Sequence, residues 1–208
     1  MKNLLLIALF PLVICSACTT FKYTVGTEFT VQSQANAEKS TTKVGYYISP
    51  QVANFTAEKP NRQFKTDFDF GPSLCYGFEE TLKTIFTETV RLQDTVNIDP
   101  DIDLLITADN ATGSVILPNE LEKIRMLLRV EFTAYDKNGH ILWKDTYQGE
   151  GVRKWNRNYL ATYWCLPIFI FTRWKKGNED LEECMRATLE DLFRNTCNGM
   201  EAGRFWVK

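Results

Sequence analysis

The chain has 208 residues, 44% of them hydrophobic and 24% charged, with a formal net charge of −2. That is enough chain and enough apolar content to bury a core, which excludes a disordered or collagen-like polypeptide. No run rich in lysine and arginine occurs, which argues against nucleic acid as a partner.

The N-terminus reads MKNLLLIALFPLVICSAC. Lys2 gives a positive start, and Leu4 to Ile14 form an apolar run broken only by Pro11. At helical rise such a run reaches about 16 Å, roughly half a bilayer core, so it is too short to span. A charged start, a short apolar stretch and small residues behind it describe an export signal that is later removed. Ser16 and Ala17 place the cut before Cys18, making residues 1–17 a signal peptide. The stretch Cys15-Ser16-Ala17-Cys18 resembles the bacterial lipobox, with cysteine at 15 where leucine is usual. That resemblance implies a palmitate-bearing lipid on Cys18, and Thr19 behind it implies passage to the outer membrane. Ordinary signal peptidase could also use the bond, with Cys15 and Ala17 as its small residues, and would leave a plain secreted chain.

Residues 18–42 are polar and rich in Thr, Ser, Gln and Ala, and read as a lipidated N-terminus and tether. Phe21, Tyr23 and Val25 alternate within it, which allows a short strand. A single domain is expected over 43–208. VGYYISP at 44–50 is a strand ended by proline. A first helix is expected from Ser73 as N-cap, with Leu74, Phe78, Leu82, Ile85, Phe86 and Thr89 on one face. Ile102 to Ala108 is a second strand, with a third expected after Gly113.

Residues 125 to 152 read as a long hairpin around Asp136-Lys137-Asn138-Gly139. A four-residue loop, preferred to a two-residue Asn-Gly turn that would set Phe132 against Asp145, pairs Ala134 with Ile141, Phe132 with Trp143 and Leu128 with Tyr147. The other face then pairs Glu131 with Lys144 and Arg129 with Thr146. A last helix is capped by Asn178 and stopped by Asn198-Gly199. Leu181, Cys184, Met185, Thr188, Leu189, Leu192 and Phe193 form its apolar face. The expected fold is therefore α+β, in β-α-β-β-β-α order: an antiparallel sheet of about four strands with two helices packed on one face.

Six cysteines are present; Cys15 leaves with the leader and Cys18 would carry lipid. The remaining Cys75, Cys165, Cys184 and Cys197 are an even set, which in an exported protein suits disulfides. Parallel helices would bring Cys75 and Cys184 to the same end, leaving Cys165 to pair with Cys197.

Residues that carry chemistry are few. The only histidine, His140, stands beside the hairpin turn. No Cys-x-x-Cys, phosphate loop or nucleophile elbow occurs. Asp99, Asp101 and Asp103 have the spacing that opens a calcium loop. Leu104 stands where that loop needs glycine, and Asn110 where it needs glutamate. No catalytic residue, metal or cofactor is expected.

The stretch 153–176 is unusual, with Trp155, Tyr159, Tyr163, Trp164, Phe169, Phe171 and Trp174 split by Pro167 and flanked by basic residues. It reads either as an insertion buried on the sheet or as a contact for a membrane interface or partner protein. Trp155, Tyr163, Trp164, Phe169, Phe171 and Trp174 are the contact candidates.

With the lipobox at Cys18, VGYYISP, the helix after Gly71, DIDLLITA and VEFTAYDKNGHILWKDTYQGEG in this order, the chain resembles small bacterial envelope lipoproteins of the α+β type. The lipopolysaccharide-assembly lipoprotein and related auxiliary lipoproteins belong to that group. The resemblance implies a non-catalytic protein anchored in the outer membrane on its periplasmic face. It would bind or scaffold an envelope protein, or bind lipid, during outer-membrane assembly or transport. A secreted periplasmic hydrolase and a structural subunit of a secretion or appendage machine are the alternatives.

Overall fold

The computed structural model describes residues 21–24, 29–31, 38–60, 65–96, 98–116, 123–154 and 167–203. Its elements are β1 (Phe21–Thr24), β2 (Ser40–Ile48), α1 (Pro50–Ala53), β3 (Thr56–Pro60), β4 (Lys65–Asp69), α2 (Gly71–Ile85), β5 (Phe86–Arg91), β6 (Leu104–Ile116), β7 (Lys123–Asp136), β8 (Ile141–Lys154) and α3 (Pro167–Gly203). The main sheet has the order β5-β2-β6-β7-β8, and β1-β4-β3 form a smaller one.

The fold is α+β, but the strand count and order differ from expectation. The main sheet has five strands and is mixed: β2 is parallel to β5 and β6, while β7 is antiparallel to β6 and β8. Parallel neighbours need a crossover, and the stretch from α1 through α2 supplies it between β2 and β5. β5 is the strand that periodicity hid. Phe86 and Thr89 continue the helical spacing of α2, yet α2 ends at Ile85 and the chain turns directly into β5. The helix also begins earlier, at Gly71, with Pro72 in its first turn, and Ser73 is buried inside it. Where a third short strand was expected after Gly113, β6 runs through unbroken, with a register shift between Ala108 and Asn110.

One face of the main sheet meets both long helices. Val44, Tyr46, Leu104, Ile106, Met126, Leu128 and Phe132 face Leu74, Phe78, Leu82, Met185, Leu189 and Phe193 in one core. Phe132 lies between Phe78 (centroids 5.1 Å apart) and Tyr147 (6.1 Å). All seven residues expected on the apolar face of the last helix are buried. The small sheet and Phe29 draw part of the expected tether into the fold. β1 pairs with β4, and Phe29 packs on Tyr76 and Phe193 at 5.4 and 5.9 Å.

α3 is much longer than expected. Asn178 and Asn198-Gly199 both lie inside it, and it starts at Pro167 within the aromatic stretch. Gly199 is a packing residue, not a stop: the Tyr147 ring lies so close that a β-carbon there would overlap it. Gly149 and Gly151 of β8 likewise let the α3 backbone rest directly on the strand at Leu192, Thr188 and Cys184.

The β7–β8 hairpin pairs Phe132 with Asp145, Ala134 with Trp143 and Val130 with Tyr147. This is two residues away from the expected register. A slip of two leaves every side chain on its expected face, which is why the apolar pattern did not exclude it. Glu131 and Lys144 remain ion-paired at 2.8 Å, now as diagonal neighbours. The turn itself sets the register. Asp136 N donates to His140 O at 2.9 Å, Gly139 takes φ 81°, and a shift between Ala134 and Tyr135 absorbs the extra residue.

Candidate functional site

The second face of the main sheet carries a concave pocket of about 630 Å³ at the end formed by the β7–β8 turn. Its floor comes from neighbouring strands. Tyr47 of β2 is in register with Thr107 of β6, and Leu105 of β6 with Tyr135 of β7. One wall is the segment between β5 and β6, which contributes Thr95, Ile98, Asp99 and Pro100. The opposite wall is the hairpin turn from Asp136 to Gly139.

Gly45 positions the first wall. Ile102, 3% exposed, lies over it, and a β-carbon on Gly45 would stand 2.9 Å from Ile102 Cδ1 and 3.1 Å from Leu92 Cδ1. The carboxylates are fixed by local hydrogen bonds. Asp99 Oδ1 accepts from Asp101 N at 3.0 Å, which closes the turn before β6. Asp103 accepts from Lys43 N at 3.2 Å, tying that turn to β2. Asp99 and Asp103, two of the three carboxylates with calcium-loop spacing, thus serve loop geometry, and among the described residues no group of His, Cys, Asp or Glu is placed to hold a metal ion.

Asp109 sits at the β6 bulge, the one residue of β6 without a partner between Ala108 and Asn110. Bulges re-aim side chains, and this one is held from β7 on one side and from the α1 N-cap just beyond β2 on the other. Thr133 donates its hydroxyl to Asp109 Oδ2 at 2.5 Å, and Ser49 donates its own to Asp109 O at 2.7 Å. Asp136 accepts from Asn138 N at 2.8 Å and His140 N at 2.9 Å, with His140 Nδ1 at 3.1 Å from its other oxygen. These donors, the His140 amide foremost, pull its pKa down to about 2, so it is ionised at neutral pH.

Of these pocket residues the sequence singled out only Asp99, as part of a calcium-loop spacing; His140 stands beside the lining, next to Gly139. The lining residues come from four separated segments that only the sheet brings together. Of the residues that were singled out, Cys18, Trp155, Tyr163, Trp164 and Cys165 lie outside the described residues. Phe169, Phe171 and Trp174 fall on the first turns of the α3 backbone, and their side chains are outside the description too.

The expected Cys75–Cys184 bridge is not formed; both are free thiols. Gly77 of α2 meets Phe193 of α3, which places Cys184 about 13 Å farther back along α3 than that contact. Cys184 also faces the sheet, 3.4 Å from Gly151 O. Burial pushes its pKa up to about 11 and raises that of Cys75, so neither is a thiolate nucleophile at neutral pH. Cys197 Sγ lies 3.7 Å from Glu201 Oε1.

No protein-family model matches the chain. No curated protein matches it either. Among solved structures it is similar to a minor lipoprotein from Acinetobacter baumannii, at 14% identity and TM-score 0.46, over 80% of this chain and 96% of that one. It is also similar to a protein described as a neuraminyllactose-binding hemagglutinin homolog from Helicobacter pylori, at 9% identity and TM-score 0.41, over 86% and 95%. A hypothetical protein from Chlamydia trachomatis follows at 10% identity and TM-score 0.37, over 79% and 98%. Among the described residues, no helix is long and apolar enough to cross a membrane.

Proposed function

We propose that this is a non-catalytic bacterial envelope lipoprotein, anchored through Cys18 to the periplasmic face of the outer membrane, that binds a partner in outer-membrane assembly or transport. The observation that carries the binding part of this reading is the pocket on the sheet face opposite the two long helices. Its volume, about 630 Å³, is that of a small-molecule or side-chain site. Its walls are held by hydrogen bonds internal to the fold, so the site is preformed. The leader and the lipobox-like stretch support the anchor.

A catalytic role finds little support in the same geometry. Both described cysteines with raised pKa values are protonated, and Asp136 is an ionised carboxylate, the opposite of a general acid. The hydrolase reading needs two carboxylates facing each other across a cleft, one of them protonated to act as the acid; of the pocket's Asp99, Asp109 and Asp136, the last is held ionised by its hydrogen bonds.

Intact mass spectrometry of the protein recovered from membranes of a bacterial host, beside a Cys18→Ser control, tests the anchor. The expected mass is that of residues 18–208 plus a diacylglycerol-type adduct, absent from the control. A bare mature chain in the soluble fraction would overturn the lipoprotein reading and favour a secreted one.

A further inference from the structure

We infer that the pocket between the β5–β6 segment and the β7–β8 turn takes an organic cation with an apolar body, such as an aryl-alkyl ammonium group on a small molecule or a basic side chain; this rests on the reading of that pocket as a binding site.

The shape asks for an apolar body. Tyr47 and Tyr135 stand on the strands either side of β6, two residues out of step, so their backbones are about 12 Å apart on the diagonal, room for one flat group over Leu105 and Thr107. Ile98, 38% exposed, and Pro100 continue that apolar surface up one wall. Tyrosine faces also favour a cation over an anion, because the ring face is the negative pole of its quadrupole.

The charge asks for a cation. Among the described residues, Asp99, Asp109 and Asp136 line the pocket against one ammonium, that of Lys137. Lys144, farther along the face, is held first by Glu131 at 2.8 Å and also feels the charge of Asp109. Asp99 and Asp109 each give one oxygen to the fold, to Asp101 N and Thr133 Oγ1, and the second oxygen of each remains an acceptor for an ammonium. A bare metal ion fits less well, since no cluster of ligands converges among the described residues.

Isothermal titration of the full chain in non-ionic detergent tests this with three probes of similar size: phenethylamine, 3-phenylpropionate and 2-phenylethanol. The variant for comparison is Asp99→Asn/Asp109→Asn, since asparagine keeps an acceptor for both Asp101 N and Thr133 Oγ1 while removing the charge. Saturable binding of phenethylamine is expected, about tenfold tighter than the other two and weakened about tenfold or more in the variant, as for two partly exposed ion pairs. Subtracting the variant's heats also removes partition into micelles. Should the double variant fail to fold, Asp99→Asn alone, on an exposed turn, carries the comparison. Equal binding of the anion or the alcohol overturns the cation assignment and leaves the binding reading standing. No saturable heat from any probe overturns both.

Discussion

Gly77 of α2 lies flat against the Phe193 ring of α3, so close that a β-carbon at position 77 would overlap three atoms of that ring. Phe29 stacks on the same ring at 5.9 Å, and Phe193 is 1% exposed, so the ring has nowhere to go. This contact sets the spacing of the two long helices over the sheet.

Gly77→Ala should therefore destabilise the protein although alanine is the better helix former. The propensity gain is about 1 kcal/mol, and forcing a methyl into a packed contact costs about 1–3 kcal/mol. A net loss of up to about 2 kcal/mol is expected in urea unfolding, with Phe193→Leu on the same chain recovering part of it through coupling of adjacent sites. A Gly77→Ala protein more stable than wild type would mean that α2 and α3 can part at no cost.

Acid should loosen the β7–β8 turn through Asp136. Its folded pKa, about 2, lies below the ordinary aspartate value because the amides of His140 and Asn138 donate to its carboxylate. A carboxyl with a depressed folded pKa stabilises above its unfolded pKa and loses that contribution as pH falls through the folded one, here between about pH 4 and 2. Asp136→Asn should flatten the melting temperature against pH over that window and leave the profile above pH 5 parallel to wild type. An unchanged acid limb in the variant would show that the turn is not where acid acts.

The same residues show what a sequence can disclose about this fold. The core face of α3, from Leu181 to Phe193, was legible because its apolar period is 3.6 and nothing competes with it. The faces of β7 and β8 were legible for the same kind of reason, and their register was not, since a period of two is blind to a slip of two. β5 was hidden because Phe86 and Thr89 satisfy helical spacing as well as they satisfy a strand. Gly199 was misread because glycine marks both a helix stop and a close approach, and only the Tyr147 ring distinguishes them. The pocket was illegible altogether: Tyr47, Asp99, Asp109 and Tyr135 become neighbours through a parallel crossover that local pattern does not encode.

The thiols should label in an order set by burial. Cys75 is half-buried on α2, whereas Cys184 and Cys197 are fully buried under α3. A pulse of maleimide under native conditions, mapped by mass spectrometry, should modify Cys75 first and leave the other two until the protein unfolds. Mild oxidation should yield no Cys75–Cys184 cross-link. Labelling of Cys184 as fast as Cys75 would show that α3 lifts from β8 in the native state.

Thr133 is the residue whose loss should bear on both stability and the pocket. Its side chain is 1% exposed, and its hydroxyl is the side-chain donor that ties Asp109 to β7. Thr133→Val keeps the shape and removes the donor, leaving a half-buried carboxylate one hydrogen bond short, at a cost of about 1–2 kcal/mol. Asp109→Asn should soften that cost, because a neutral amide loses less than a carboxylate when its donor goes. In a double-mutant cycle read by urea unfolding, a coupling near 1 kcal/mol between positions 133 and 109 is expected. Additive effects would mean that the bulge holds Asp109 in place without Thr133.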